Sequence, residues 1–398
     1  MRQSLLVAFF CLLAVQVAES LYRAVPPEAN YNFTEFVNSL NYPVEEHDVV
    51  TADGYILTFY RIQAKNSQIR SGLQPVLVNH GLLDSSDSWI INVENQAPGF
   101  MLANAGFDVW FANNRGNKYS LGHVDPVNFN SSDSNSAFWD YSWQEMSEYD
   151  LPAGLQYVAQ QTGKTVHYMG HSEGTTIMFA ALSRRDPTII SSLGKFIALA
   201  PAVFVQHSTS VIVEVGGWMK AGTVLKELDT FLDRKKFGWM TQKNRNRWET
   251  ICSVAIDICI ERVRLLSDAK TSVDNTSRFP ITSGHYPAGS SVQNMYYWSQ
   301  MFNNPDFSMY DYGHDTNIQV YGTPNPPVYD LSKITEPVHM FVGNYDELAP
   351  LSDTSNLRSK LTGSSSVEYR TYELGHASFI WGKDTATYVN DVISVLNS

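Results

Sequence analysis

Ser172 stands at the centre of Gly170-His171-Ser172-Glu173-Gly174, the only Gly-x-Ser-x-Gly run in the 398 residues. The run joins the β-rich stretch Thr165-Val166-His167-Tyr168-Met169 to a segment, Thr175 to Arg184, that carries Ile177, Met178, Ala181 and Leu182 at helical spacing. A strand turning sharply into a helix is the setting of a nucleophile elbow. The turn lifts the serine hydroxyl above the sheet, and glycines two residues to either side keep strand and helix from colliding. A serine hydroxyl is a weak nucleophile until a base takes its proton, so Ser172 requires a histidine oriented by a carboxylate. The candidates are Asp346, after the apolar run Pro337 to Gly343, and His376, after Val367 to Thr371 and the turn at Gly375. Each follows a strand, so both loops open at the sheet edge that carries Ser172, with His376 as general base and Asp346 as its orienter. An oxyanion needs N–H donors. The candidates are Glu173, next after the nucleophile, and Leu82, in the glycine turn that closes the strand Pro75 to Asn79.

These loops require a sheet to carry them. His47 to Thr51 and Tyr55 to Tyr60 flank Asp53-Gly54 and read as a hairpin, while Phe107 to Ala112 and Lys195 to Ala200 read as buried strands. A helix is expected from a cap at Asp150, with Pro152 in its first turn, to Gly163. A last helix runs from Asp384 to Leu396. Apolar strands alternating with helices indicate a mainly parallel sheet covered on both faces, and the order serine, aspartate, histidine is that of an α/β-hydrolase. The alternation stops between Phe204 and Pro327, where tryptophans and methionines are scattered through helical and loop-like sequence. That segment reads as an inserted cap whose apolar residues form its own core, with a part available to line an acyl channel. The expected organisation is a signal peptide at 1–20, a core at 21–203, a helical cap or lid at 204–327 and the remaining core at 328–398. Residues 21–41 read as an arm on the surface, and 118–145 as a long loop packed down by Phe138 to Trp143. Arg115, beside Gly116 but in no glycine-rich phosphate cradle, is expected to pin loops by hydrogen bonds.

Hydrophobic side chains make up 43% of the chain, enough for one large core and too many for a disordered protein. Arg2, the apolar run Leu5 to Ala14 and the small-residue site Ala18-Glu19-Ser20 read as a secretory leader, because the run is too short to cross a bilayer. No later run is long enough to do so, and the mature chain is expected to be a monomer. Without the leader only Cys252 and Cys259 remain. On a straight helix they would lie roughly 10 Å apart, so either the helix breaks and they bond, or both stay reduced and buried. Asn32, Asn130 and Asn275 head potential glycosylation sites, in keeping with secretion. The net charge of −12 argues against a nucleic-acid partner.

The chain resembles the acid lipase family of gastric and lysosomal lipases, and most of all its insect members. The resemblance is carried by Asn79-His80-Gly81-Leu82-Leu83-Asp84-Ser85-Ser86, Asn114-Arg115-Gly116-Asn117, Phe138-Trp139-Asp140 through Ala153, the elbow, Pro287 to Asn294, and His376 with Phe379-Ile380-Trp381. It implies an α/β-hydrolase core with a helical cap and lid, a triad of Ser172, Asp346 and His376, and an oxyanion hole from Leu82 and Glu173. It further implies hydrolysis of neutral lipid esters, triacylglycerol or sterol ester, at a droplet or micelle surface, with no metal or cofactor. The location it implies is extracellular or, alternatively, the lysosomal lumen. Two other readings fit the same scaffold: a catalytically silent lipid carrier, against which the intact triad speaks, and a serine peptidase, since fold alone does not set the substrate.

Three departures from the family stand out. Mammalian members usually carry Gln where this chain has Glu173; the backbone N–H survives the change, but an ionised carboxylate would oppose the oxyanion unless it points away or is protonated. The family's His-Leu-Asp is His376-Ala377-Ser378 here, and Asp346-Glu347-Leu348-Ala349-Pro350 lacks an acidic residue directly before its proline. The cysteine spacing also differs from that of gastric lipases, so the resemblance implies no pairing.

Overall fold

A computed structural model describes residues 25–210 and 235–398. The expected signal peptide, and Trp218, Met219 and Phe231 of the expected lid, lie outside the described residues. Strand β1 (Val44–Val50) pairs antiparallel with β2 (Tyr55–Ile62) across a turn in which Gly54 adopts φ +97°. The sheet continues with β3 (Pro75–Asn79), β4 (Asp108–Phe111), the two-residue β5 (Gly122–His123), β6 (Val166–His171) and β7 (Leu193–Leu199). A separate small ribbon pairs β8 (Lys236–Phe237) with β9 (Ser290–Ser291). The main sheet is completed by β10 (Val338–Gly343) and β11 (Val367–Tyr372). Its order is β1-β2-β4-β3-β6-β7-β10-β11 with β5 on β2, and every pair from β4 to β11 is parallel. Parallel strands require crossovers, and the intervening helices cover both faces.

Alternation along each strand feeds two cores. Leu77 and Met340 face one, with Leu155 of helix Leu151–Thr162 and Ile177 of helix Glu173–Ser183. Their neighbours Val76, Val78 and Phe341 face the other, with Leu102 of helix Pro98–Asn104 and Val389 and Val392 of helix Thr385–Asn397. The sheet is therefore apolar on both sides, and its chemistry is confined to loops at the strand ends.

Two expectations need correction, and one left open is decided. The described part of the expected surface arm, residues 25–41, is not one: helix Phe33–Ser39 buries Phe33, Phe36 and Val37. Asn32 and Glu35 form a capping box at its start, a pattern readable in the sequence. Asp150 does not cap its helix but is itself helical, because its carboxylate is claimed by Arg115, whose Nε donates to it at 2.8 Å. Arg115 also donates to Asp53 from both terminal nitrogens, pinning loops as expected. The cysteines do bond: the helix breaks at Ala255, between Gln242–Val254 and Ile256–Leu266, which brings the two Cα atoms to 5.6 Å.

Candidate active site

Ser172 lies between β6 and the helix Glu173–Ser183 with φ +52° and ψ −118°, a strained conformation for a residue with a side chain. Its neighbours explain why the strain persists. A Cβ on Gly170 would come within 2.7 Å of the Gly174 carbonyl, and one on Gly174 within 2.6 Å of the Asn79 carbonyl. The elbow is thus wedged between β6 and the end of β3 with no room for a methyl group.

The loops after β10 and β11 bring Asp346 and His376 to the same edge. His376 Nε2 lies 2.7 Å from Ser172 Oγ, and Nδ1 lies 2.8 Å from Asp346 Oδ2. A carboxylate only accepts, so in the neutral ring Nδ1 carries the proton and Nε2 is left to receive one from the hydroxyl. Asp346 is held in turn by the N–H groups of Leu348 and Ala349, which donate to its Oδ1 at 2.9 and 2.7 Å. All three side chains are buried. Burial opposes a charge on His376, but the charge and hydrogen bond of Asp346, joined by the field of Asp268, outweigh it and raise its pKa.

Two further histidines, not singled out by the sequence reading, hold the loops in place. His171 Nε2 donates to the His376 carbonyl at 2.9 Å. His80 Nδ1 donates to the Gly81 carbonyl at 2.8 Å while Nε2 accepts from Asn114 N–H and Asn117 Nδ2, both at 3.2 Å. Burial depresses both, His80 to about 4 and His171 to about 3, so they act as neutral braces. The braced turn passes close to the nucleophile: a Cβ on Gly81 would sit 3.1 Å from that of Ser172. Leu82 follows in that turn, and Glu173 N–H is among the first-turn donors that no helix can satisfy internally.

The Glu173 carboxylate turns away from this point. Its Oε2 accepts from Trp298 Nε1 at 2.6 Å and from Asn294 Nδ2 at 2.8 Å, both on helix Val292–Asn303. Burial pushes it up to about 7, against the pull of those two bonds. Met295, Trp298 and Phe302 of the same helix, with Leu348 and Trp381, line a cavity of about 270 Å³ that reaches Ser172 and His376. The Cys252–Cys259 disulfide forms part of its wall. Among the glycosylation candidates, Asn32 and Asn130 are exposed, whereas Asn275 is half-buried with Nδ2 donating to Asn92 at 2.9 Å. No helix among the described residues is long and apolar enough to cross a membrane.

A parallel sheet covered on both faces, with a serine elbow after its central strand, defines an α/β-hydrolase. Two family models match the chain, a partial α/β-hydrolase lipase region over residues 33–93 and the α/β hydrolase fold over 74–203. Among solved structures, a soluble variant of monoglyceride lipase from Saccharomyces cerevisiae shares the fold at a TM-score of 0.54 and 13% identity, over 88% of this chain and 94% of that one. A carboxyl esterase from Bacillus coagulans does so at 0.52 and 15%, over 89% and 98%. Curated relatives are much nearer in sequence. Gastric triacylglycerol lipase of Rattus norvegicus is 36% identical over 93% of this chain and 92% of its own length. Lipase member K of Mus musculus is 34% identical over 93% and 92%, and lipase member M of the same species 34% over 98% and 92%. The chain belongs to the acid lipase family, and is an ester-hydrolysing enzyme of that family.

Proposed function

We propose that the protein cleaves carboxylic ester bonds of neutral lipids through an acyl-enzyme on Ser172. The observation that carries this is His376, which touches Ser172 Oγ with one ring nitrogen and Asp346 with the other. In the first half-reaction Oγ attacks the ester carbonyl while its proton passes to Nε2, and Asp346 stabilises the imidazolium that forms. The Leu82 and Glu173 N–H groups receive the oxyanion. Collapse breaks the ester C–O bond, and Nε2 returns the proton to the departing alkoxide. Water then attacks the acyl-serine with His376 again as base, releasing the fatty acid and restoring Ser172.

The apolar cavity supports a long acyl group, and the activity named for the rat and bovine gastric relatives makes triacylglycerol the first substrate to test. We read residues 204–327 as the cap and 1–20 as a leader. The disulfide supports an oxidising location, extracellular or lysosomal. Val254 and Ile258, exposed beside that disulfide, suit contact with a lipid surface. A fluorophosphonate probe should label the protein on Ser172, and the purified enzyme should turn over lipid esters but not peptides. Full activity in Ser172→Ala, or turnover of peptides alone, would overturn the reading.

A further inference from the structure

Behind His376 lies a second group of acids that the proposed reaction does not use. Asp268, Asp274 and Ser378 are completely buried. Residues 267–269 run antiparallel beside the Asp346 loop: Ala269 N–H donates to the Tyr345 carbonyl at 3.0 Å, and Glu347 N–H to that of Ser267 at 3.1 Å. From this strip the Asp268 side chain reaches the His376 loop. Its Oδ1 accepts from Ala377 N–H at 3.0 Å, and it packs so closely on Gly375 that a Cβ there would lie 2.3 Å from its Cγ. Asp268 therefore joins the carboxylate loop to the imidazole loop, contacting residues on both sides of His376.

The hydrogen count at Ser378 is the informative feature. Its Oγ lies 2.6 Å from Asp274 Oδ1 and 3.1 Å from Asp268 Oδ2. One hydroxyl hydrogen cannot serve two acceptors, so the chain of three oxygens is complete only with a second proton. Asp268 already accepts from Ala377 N–H through its other oxygen, which leaves Asp274 as the acid that carries that proton, donating to Ser378, which donates to Asp268. Asp274 Oδ2 has no partner among the described residues, tolerable for the carbonyl oxygen of a neutral acid and costly for an ionised one.

We propose that Asp268 and Asp274 hold one proton between them across the Ser378 hydroxyl, and that this acid pair is the positioning device of the His376 loop. Losing the proton leaves two buried carboxylates with one hydroxyl between them, next to Asp346, and the loop withdraws His376 from Ser172. The charged groups facing the pair are Asp346, His376 and, on the outer side, Lys383. The energetics agree in direction: burial, then the Asp346 charge, raises Asp268, and burial, then Asp268, raises Asp274. Turnover then fails on the alkaline side although His376 is in its reactive neutral form.

The proposal rests on the Ser172, His376, Asp346 reading, and one set of pH profiles separates the two. In Asp274→Asn the amide donates to Ser378 as the protonated acid does, without being able to ionise. Its alkaline limb of kcat/KM on an emulsified ester should move up by about one pH unit or more, with the acid limb in place. Asp274→Leu, which leaves Ser378 to serve Asp268 alone, should do the same and covers the case in which the amide variant does not fold. Asp268→Asn should lower kcat at least tenfold with KM within about twofold, and move the acid limb down, because His376 loses a negative neighbour. Profiles of the Asp274 variants that overlay the wild type, with Ser172→Ala inactive, would overturn the acid-pair proposal alone. Activity surviving in Ser172→Ala would instead overturn the triad reading.

Discussion

Trp298 Nε1 donates to the Glu173 carboxylate at 2.6 Å, so the residue that follows Ser172 is tied to a wall of the cavity Ser172 also lines. The bond answers the difficulty posed by an acid at this position. The side chain is turned onto helix Val292–Asn303 and, with a pKa of about 7, is largely protonated in acid. Glu173→Gln keeps an oxygen for Trp298 and Asn294 but cannot ionise. The raised pKa corresponds to at most roughly 3 kcal/mol that wild type loses on passing from acid to alkaline solution. The variant should therefore gain in melting temperature relative to wild type near about pH 8 and not near about pH 5. Its ratio of alkaline to acid activity should rise as well; an unchanged pH profile would count against any role for the charge.

Asp346→Asn should lower kcat by about 10³–10⁴ with little change in KM. Its single side-chain oxygen is claimed by Leu348 and Ala349 N–H, which turns the amide NH₂ toward His376 Nδ1. The proton then moves to Nε2, the nitrogen that must accept from Ser172. Steady-state kinetics, with circular dichroism to establish folding, tests this.

Gly174→Ala should fail to yield folded protein, or cost about 3 kcal/mol or more in a denaturant titration. The added methyl meets the Asn79 carbonyl at 2.6 Å and the His80 carbonyl at 2.9 Å, backbone atoms that cannot swing aside. Gly163→Ala is the contrast, because its Cβ meets nothing within 4 Å and only the φ of +69° resists it.

Folding stability should be greatest in mildly acidic solution. Asp84 and Glu173, both raised to about 7 by burial, add stability that is complete below the usual carboxyl range and lost as pH rises through about 7. Asp268 and Asp274 act in the same sense. His80 and His167, lowered to about 4, and His171, to about 3, work oppositely: their contribution is complete above the usual histidine value and lost as pH falls through 4 to 3. Between about pH 4.5 and 6.5 the two sets oppose each other, and above about 6.5 the carboxyl loss remains, joined in the same sense by that of His376, whose pKa is raised. Differential scanning calorimetry should give a plateau followed by a fall of about 3–6 °C by about pH 8; a midpoint still rising over that interval would contradict the assignment.

Replacing Cys252 and Cys259 by Ser should destabilise the helix pair Gln242–Val254 and Ile256–Leu266 locally by about 2–3 kcal/mol, the value for so short a loop. Because the bridge forms part of the cavity wall, KM for long-chain esters should rise more than KM for short ones. Limited proteolysis between the two positions measures the first effect.

The residues with strong local signals were legible in the sequence. The elbow, the alternation of strands and helices, and the loops of Asp346 and His376 could be read because glycine punctuation and apolar runs are local. The acid pair could not: Asp268 and Asp274 belong to a stretch with no strand rhythm, and only packing brings them to Ser378, where the family carries an acid of its own. The fate of Cys252 and Cys259 turned on one backbone angle at Ala255, which spacing alone leaves open. The absence of a cap at Asp150 is not legible locally, because Arg115, far away in the chain, competes for its carboxylate. The helix at Phe33 is legible in its capping box, Asn32 and Glu35.

The order of the strands also sets the timing of competence during synthesis. A ribosome that has made everything through β10 has already emitted the elbow with its alcohol, but the imidazole arrives only behind β11, the outermost strand, which docks on β10 alone. A nascent or truncated chain lacking that strand holds Ser172 without the ring that lies 2.7 Å from its hydroxyl in the complete fold.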